Sequence, residues 1–222
     1  MTNTPTSSLS WKFPKEFWMA NFMELCERAA YYGFFIVITL YLTDIVGFND
    51  KETGIIAGLF AGGLYLLPPF AGAISDRIGF KNGLILAFGL LSIGYFFLGI
   101  FSDKVSVILF LSIAMVGGAF IKPLITGTVA KTTSDVNKAR GFSLFYWVVN
   151  IGSFSGKTFV PYIRQGLGLE YVNFFSAAMS VIALITALFL FKNIETEPEN
   201  KIGMGTVRGD IERGILDNLF KN

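Results

Sequence analysis

Histidine is absent from the 222 residues. That removes the usual side chain for general-base catalysis, metal ligation and pH switching near neutrality. Cysteine occurs once, at Cys26, which excludes a disulfide framework or a thiolate metal cluster within one chain. Charge is scarce: Asp, Glu, Lys and Arg make up 15% of the chain, against about 25% in soluble domains. The net charge is +2 and no basic stripe with interleaved aromatics occurs, so nucleic acid is not an expected partner. There is no Ser/His/Asp set, no glycine-rich loop ending in Gly-Lys-Ser or Gly-Lys-Thr, and no metal-ligand spacing. No enzyme activity, cofactor or resident metal is expected. Any proton chemistry must use Glu, Asp, Tyr or Lys.

What the chain does have is apolar bulk: 53% hydrophobic residues, 16% aromatics and 24 phenylalanines. Uncharged runs of about 20 residues read as bilayer-spanning helices, since a rise of ~1.5 Å per residue covers a ~30 Å hydrocarbon core. Six are expected, at about 16–43, 53–74, 83–102, 105–128, 142–163 and 171–191. Short links between them force neighbouring helices to alternate up and down. With the N-terminus inside, the inner segments carry twelve Lys and Arg and the outer links three, Lys51, Lys104 and Arg164. That asymmetry predicts a multi-pass protein of the cell membrane with both termini cytoplasmic. Residues 1–15 read as a polar cytoplasmic segment without a secretory signal, and 16–192 as the helical bundle. Residues 193–222 read as a solvated linker ending in a mildly amphipathic surface helix at Ile211, Ile215, Leu216 and Leu219. The tail is expected to lead to a second half, so the chain reads as a fragment or truncated product.

A charge at the bilayer centre costs about 2.5–3.5 kcal/mol on insertion scales, so charges inside a span need a reason. Five stand out: Glu24, Glu27, Arg28, Lys122 and Lys157. On a helix, Glu24, Arg28 and Tyr31 fall on one stripe, with Glu27 and Tyr32 flanking it. This stripe must face other helices or a watery cavity; it serves proton chemistry or only fixes helix packing. Lys122 precedes Pro123 in the fourth run and needs a carboxylate partner to stay charged, naturally Glu24 or Glu27, unless it snorkels to the interface. Tyr146, Asn150, Ser153 and Lys157 recur at helical spacing in the fifth run, as a second polar stripe. Asn150 and Ser153 suit either substrate contact or interhelical hydrogen bonds. Gly152 and Gly156 form a small-xxx-small pair on another face. Gly72, Asp76, Arg77, Gly79 and Lys81 sit at the inner mouth of runs two and three and read as a structural and conformational motif. Asp76 is expected to cap the third helix or pair with a nearby cation.

These motifs resemble the proton-dependent oligopeptide transporter family of the major facilitator superfamily, and the resemblance covers about residues 11–192. Gly72–Lys81 is similar to the superfamily's motif between helices 2 and 3. Glu24-Leu-Cys-Glu27-Arg28-Ala29-Ala-Tyr31-Tyr32-Gly33 matches the family's ExxERFxYYG signature except that Ala29 replaces Phe. Lys122-Pro123-Leu124 is similar to the family's KPN, and Phe142 to Gly152 resembles its helix 5 signature. Tyr65 stands eleven residues before Asp76, where the family places a peptide-contacting tyrosine. Lys157 has no counterpart in the family pattern.

The resemblance implies an all-α fold, the N-terminal six-helix half of a 3+3 inverted repeat. It implies a symporter that imports di- and tripeptides with protons by alternating access. Glu24, Glu27, Arg28 and Lys122 would couple the proton. Arg28, Tyr32, Tyr65, Lys122 and Asn150 would contact the peptide, and Lys157 joins them as a substrate-binding candidate from its place on the stripe. The expected partners are a small peptide, protons, the bilayer and a C-terminal six-helix half. Two rivals remain: a major facilitator transporter of another solute, such as a sugar, nucleoside or drug, and a non-transporting membrane scaffold subunit.

Overall fold

A computed structural model describes residues 11–194; residues 1–10 and the expected tail helix at Ile211, Ile215, Leu216 and Leu219 lie outside the described residues. The described residues form helices and no strand. In chain order these are α1 (Lys15–Phe35), α2 (Ile38–Ile45), α3 (Asp50–Leu66), α4 (Pro68–Ile78), α5 (Phe80–Ile100), α6 (Lys104–Lys131), α7 (Lys138–Gly166) and α8 (Tyr171–Leu190). The last turns of α2 and α8, Tyr41–Ile45 and Thr186–Leu190, are π-helical.

Two of the expected spans are bent rather than straight. The first divides into α1 and α2 with a 49° bend, and the second into α3 and α4 with a 48° bend. The second bend has a direct cause. Pro68 and Pro69 lack the N–H groups that would bond the carbonyls of Leu64 and Tyr65, so the ladder is interrupted there. At the first bend the ladder tightens locally, with Val37 N–H donating to Phe34 rather than one residue further back. α6 and α7 overrun their expected limits at both ends, α5 starts three residues early and ends two residues early, and α8 matches its expected limits to within one residue. Most of the link expected around 76–82 is helical, with Gly79 alone between α4 and α5. Its φ of 87° suits glycine, and a Cβ there would meet the Asn193 side chain at 3.3 Å.

Helix starts are sealed by side chains where the chain meets water. Asn49 and Glu52 form a reciprocal capping box on α3. Asp103 accepts the Ser106 N–H at the start of α6, and this bond holds its carboxyl below the ordinary carboxylate range. Asp76 does not cap α5, and no cation lies within 4.0 Å of it among the described residues, contrary to the sequence expectation.

Contacts between helix ends fix the topology. At one end, Tyr41 of α2 donates to the carbonyls of Leu98 (2.5 Å), in the last turn of α5, and of Phe101 (3.2 Å), just past it. Asn173 at the start of α8 donates to the same Leu98 carbonyl. Lys104 pairs with Glu52 at 3.5 Å, joining the starts of α6 and α3. At the other end, Lys131 of α6 lies over Phe80 of α5, Arg140 of α7 lies over Trp11, and Asn193 accepts from the Lys81 N–H. The helices therefore alternate in direction, and this second end collects Lys81, Lys131, Lys138, Arg140 and Lys192.

The apolar core lies between α1, α5, α6 and α8, built on Phe17, Met23, Phe34, Leu84, Phe88, Tyr95 and Ile121. The α3–α4 pair is peripheral: only Thr53, Phe60, Ala71 and Ser75 are buried in it. α7 packs on α1 through Gly152 and Gly156, as the small-xxx-small pattern predicts. By length and apolar content, α5, α6 and α8 can each cross a membrane, and the two bent pairs bring the number to five. α7 is long enough at 29 residues, but its polar stripe dilutes its apolar content.

Two glycine substitutions test this packing. A Cβ at Gly156 would strike the Ala29 carbonyl and lie 3.0 Å from the Gly33 nitrogen, whereas Gly58 has open space around it. Gly156→Val is expected to destabilise by about 1–3 kcal/mol through overpacking. Gly58→Ala is expected to be neutral or to stabilise by up to ~1 kcal/mol. Thermal unfolding in detergent checks both.

Candidate functional site

α1 sets the site. Glu24 and Glu27 lie one turn apart on its inner face and are 5% and 4% exposed, among the most buried charged residues described. Neither can be left bare there, because an unpaired buried charge is strongly unfavourable. Arg28 meets both. Its Nε is 3.2 Å from Glu24 Oε1 and donates a short hydrogen bond to Glu27 Oε2. One guanidinium thus holds two carboxylates. The helix repeat makes this possible, since position 28 is four residues from 24 and adjacent to 27. The back of the cluster is closed by the α1–α7 seam, where a Cβ at Gly152 would meet Arg28 Cβ at 2.8 Å.

Tyrosines carry the cluster outward. The guanidinium lies 5.4 Å from the Tyr31 ring centroid and 6.0 Å from that of Tyr32. Helical spacing puts Tyr31 on the stripe without marking it as a site residue; its ring stacks on Phe35 and lies against the guanidinium. Tyr95, 2% exposed on α5, sits edge-on to Phe34 behind α1, and nothing in its sequence context distinguishes it from core.

Two ammonium groups complete the arrangement. Lys122 of α6 is exposed, and its Nζ stands 5.8 Å from the Tyr65 ring centroid on α3. Contrary to the sequence expectation, it makes no ion pair within 4.0 Å with Glu24 or Glu27; Arg28 holds both carboxylates. Lys157 of α7 is also exposed, with its Nζ 4.7 Å from the Tyr32 ring centroid. Both contacts are cation–π pairs on rings that stay partly or largely open, Tyr65 being 75% exposed.

The remaining expected residues divide. Asn150 is exposed and donates to the Tyr146 carbonyl of its own helix at 2.8 Å, so it makes no interhelical bond. Ser153 likewise bonds back to the Asn150 carbonyl. Gly72 of α4 lies against Pro123 of α6, bringing these two helices together. Arg77 is exposed at the end of α4, with Gly79 and Lys81 just beyond at the turn into α5. An apolar cleft of about 520 Å³ between α3 and α6, lined by Leu59, Gly62, Leu66, Ile108 and Met115, contains no ionisable side chain. The charged cluster lies elsewhere, beside the open face that carries Lys122 and Lys157.

Comparison with known proteins follows this geometry. The sequence profile of the Major Facilitator Superfamily matches residues 20–218, and the chain belongs to that superfamily. Its members are membrane transporters and not enzymes. Among curated relatives, dipeptide and tripeptide permease B of Salmonella typhimurium is 30% identical over 207 residues, covering 90% of this chain and 42% of the permease. The permease of the same name from Aliivibrio fischeri is 30% identical over 195 residues, covering 84% and 39%. The chain therefore spans about two fifths of the length of these relatives. Among solved structures, the POT family transporter PepTSo superposes with a TM-score of 0.74 at 23% identity, covering 84% of this chain and 40% of that one. A POT family transporter in complex with 5-aminolevulinic acid superposes with a TM-score of 0.75 at 20% identity, covering 93% and 46%.

The double ion pair has a measurable consequence. Arg28→Ala leaves two carboxylates buried without a partner and is expected to cost about 3–5 kcal/mol. Adding Glu24→Gln and Glu27→Gln removes the stranded charges and should recover much of that loss. Thermal unfolding of the single and triple variants measures the recovery.

Proposed function

We propose that this set of helices is one wall of a proton-coupled symporter that imports di- and tripeptides across the cell membrane. One observation carries the reading. Two carboxylates are buried on α1, held by one guanidinium, and lie beside an open face that bears two further ammonium groups. Such an arrangement exceeds what helix packing needs. The likeness to dipeptide and tripeptide permeases supports the substrate class.

In this reading the six expected spans all cross the bilayer as a 3+3 inverted repeat, with α7 facing a watery path rather than lipid. Its exposed Tyr146, Asn150 and Lys157 suit that setting. The collection of basic residues at one end supports a cytoplasmic location for that end, and hence for both termini. A second six-helix half supplies the opposite wall, and the two halves rock about a midplane site.

Coupling then works by exchange of partners. A proton arriving at Glu24 or Glu27 neutralises one carboxylate and weakens its hold on Arg28. The guanidinium becomes available to the carboxylate end of a peptide, together with Lys122. Tyr32, Tyr65 and Asn150 line the path of the rest of the peptide. Proton and substrate favour the same state, and that shared preference is what couples them. Gly72, Asp76, Arg77, Gly79 and Lys81 serve the movement between states. A major facilitator transporter of another small solute, such as a sugar, nucleoside or drug, is the second reading, motivated by the additional ammonium of Lys157.

Two experiments on the full-length protein in proteoliposomes test the proposal. Glu24→Gln is expected to abolish uptake driven by a proton gradient while sparing counterflow exchange; normal gradient-driven uptake removes Glu24 from coupling. Lys122→Ala is expected to weaken dipeptide affinity about tenfold or more, as loss of a charge-assisted hydrogen bond would do. An unchanged affinity rules out Lys122 as a carboxylate clamp.

A further inference from the structure

Resting on the transporter reading above, we infer that Asn193 is a positioning residue that ties the chain leaving α8 to the turn between α4 and α5, so that movement of the second half reaches that turn. The start of α5 shows the tie. Its N-cap position is Gly79, which offers no side chain to the free N–H groups of the first turn. Asn193 fills the role from 112 residues away, its Oδ1 accepting the Lys81 N–H at 3.2 Å. Lys81 is the second residue of α5, one of the positions that a cap ordinarily serves.

Both sides of this contact are fitted to it. Gly79 has a φ of 87°, and a Cβ there would stand 3.3 Å from both Nδ2 and Oδ1 of Asn193. Phe191 is 1% exposed, and Ile194 packs against the same core. These two apolar anchors flank Asn193 and hold its side chain at the helix start. From the other side, Lys131 of α6 lies over the buried Phe80, with its Nζ 4.7 Å from the ring centroid. The start of α5 is therefore gripped by α6 and by the exit of α8 together.

The turn leads back to the charged face through α4. This 11-residue helix buries only Ala71 and Ser75, and the 48° bend at Pro68 separates it from α3. With so few buried contacts it can shift at low cost. A Cβ at its Gly72 would stand 3.7 Å from Pro123 Cβ, and Pro123 follows Lys122 in α6. A pull on Gly79 thus acts at the end of a helix that touches the neighbour of Lys122. In the proposed transporter the chain beyond Ile194 runs to the second half. Asn193 fixes where that chain departs, so rocking of the second half draws on the α4–α5 turn. Without the bond, slack between Phe191 and the linker absorbs the movement. Asn193 itself lies beside Lys81 at the basic end and contacts none of the substrate-binding candidates. Its loss should therefore appear in turnover and not in affinity.

Asn193 is exposed, so replacing it opens no cavity. The test is proton-driven uptake of labelled Ala-Ala by the full-length protein in proteoliposomes, counted per folded transporter. Asn193→Leu removes the acceptor, whereas Asn193→Asp keeps it and adds a charge that a helix N-terminus favours. Asn193→Leu is expected to lower maximal turnover about threefold or more, the scale of one hydrogen bond, with KM for Ala-Ala unchanged. Asn193→Asp should keep wild-type turnover. Wild-type turnover in Asn193→Leu, even with a lowered unfolding temperature, makes Asn193 a helix cap only and overturns the inference. Equal loss in both variants, or a changed KM, overturns it too. Should Asn193→Leu fail to accumulate, three glycines inserted after Ile194 leave the bond in place and slacken the chain beyond it. That insertion should lower turnover in the same way, and wild-type turnover overturns the inference. Failure of wild type to take up Ala-Ala is a separate result, against the peptide reading itself. Hydrogen exchange at the Lys81 amide then decides: Asn193→Leu should exchange faster than wild type, and equal exchange overturns the tie.

Discussion

One guanidinium holding two buried carboxylates is the constraint on which the site depends. Glu24 and Glu27 are almost wholly removed from solvent, and Arg28 is the residue that makes their charge tolerable there. The pairing also sets what the neighbouring groups can do. Because Arg28 occupies both acids, Lys122 and Lys157 turn to tyrosine rings on the open face. A buried ion pair contributes little net stability against an apolar replacement of the same shape. The proposed exchange of partners gives it a role in an apolar helix that stability alone does not.

Packing elsewhere serves this arrangement. The seam between α1 and α7 is closed by Gly152 and Gly156, which lets the α7 backbone approach α1 beside Arg28. That approach brings Lys157 to Tyr32. On the other side, Gly72 of α4 meets Pro123 of α6, one residue from Lys122. Glycines thus set where the charged groups stand. The bends at Val37 and at Pro68 lie in the two spans that contribute Tyr32 and Tyr65, close to both residues in sequence.

Much of this was legible in the sequence, and the reasons are physical. Hydropathy located the helical segments because an uncharged run of 20 residues has few other uses. The α1 stripe was legible because charges in such a run are costly and helical spacing places them together. The pairing of Lys122 was not legible. Sequence supplies a list of candidate partners but not which of them is already taken, and Arg28 had taken both acids. The capping role expected of Asp76 failed in a similar way, since Gly79 turns directly into α5 and leaves no place for a side-chain cap. The bend at Pro68 was present in the Pro-Pro pair, but hydropathy alone reads through it. Tyr95 was invisible because a tyrosine in an apolar helix looks the same whether it backs a charged cluster or only fills core.

The proposal at the centre is that a proton on Glu24 or Glu27 loosens its hold on Arg28 and frees the guanidinium for a peptide carboxylate. Proteoliposomes with a pH-sensitive dye trapped inside and no imposed gradient test it most directly. On the proposed mechanism, dipeptide added outside full-length protein should acidify the interior as it enters, one proton moving with the peptide in each cycle. Entry of labelled dipeptide with no accompanying proton movement would contradict the account.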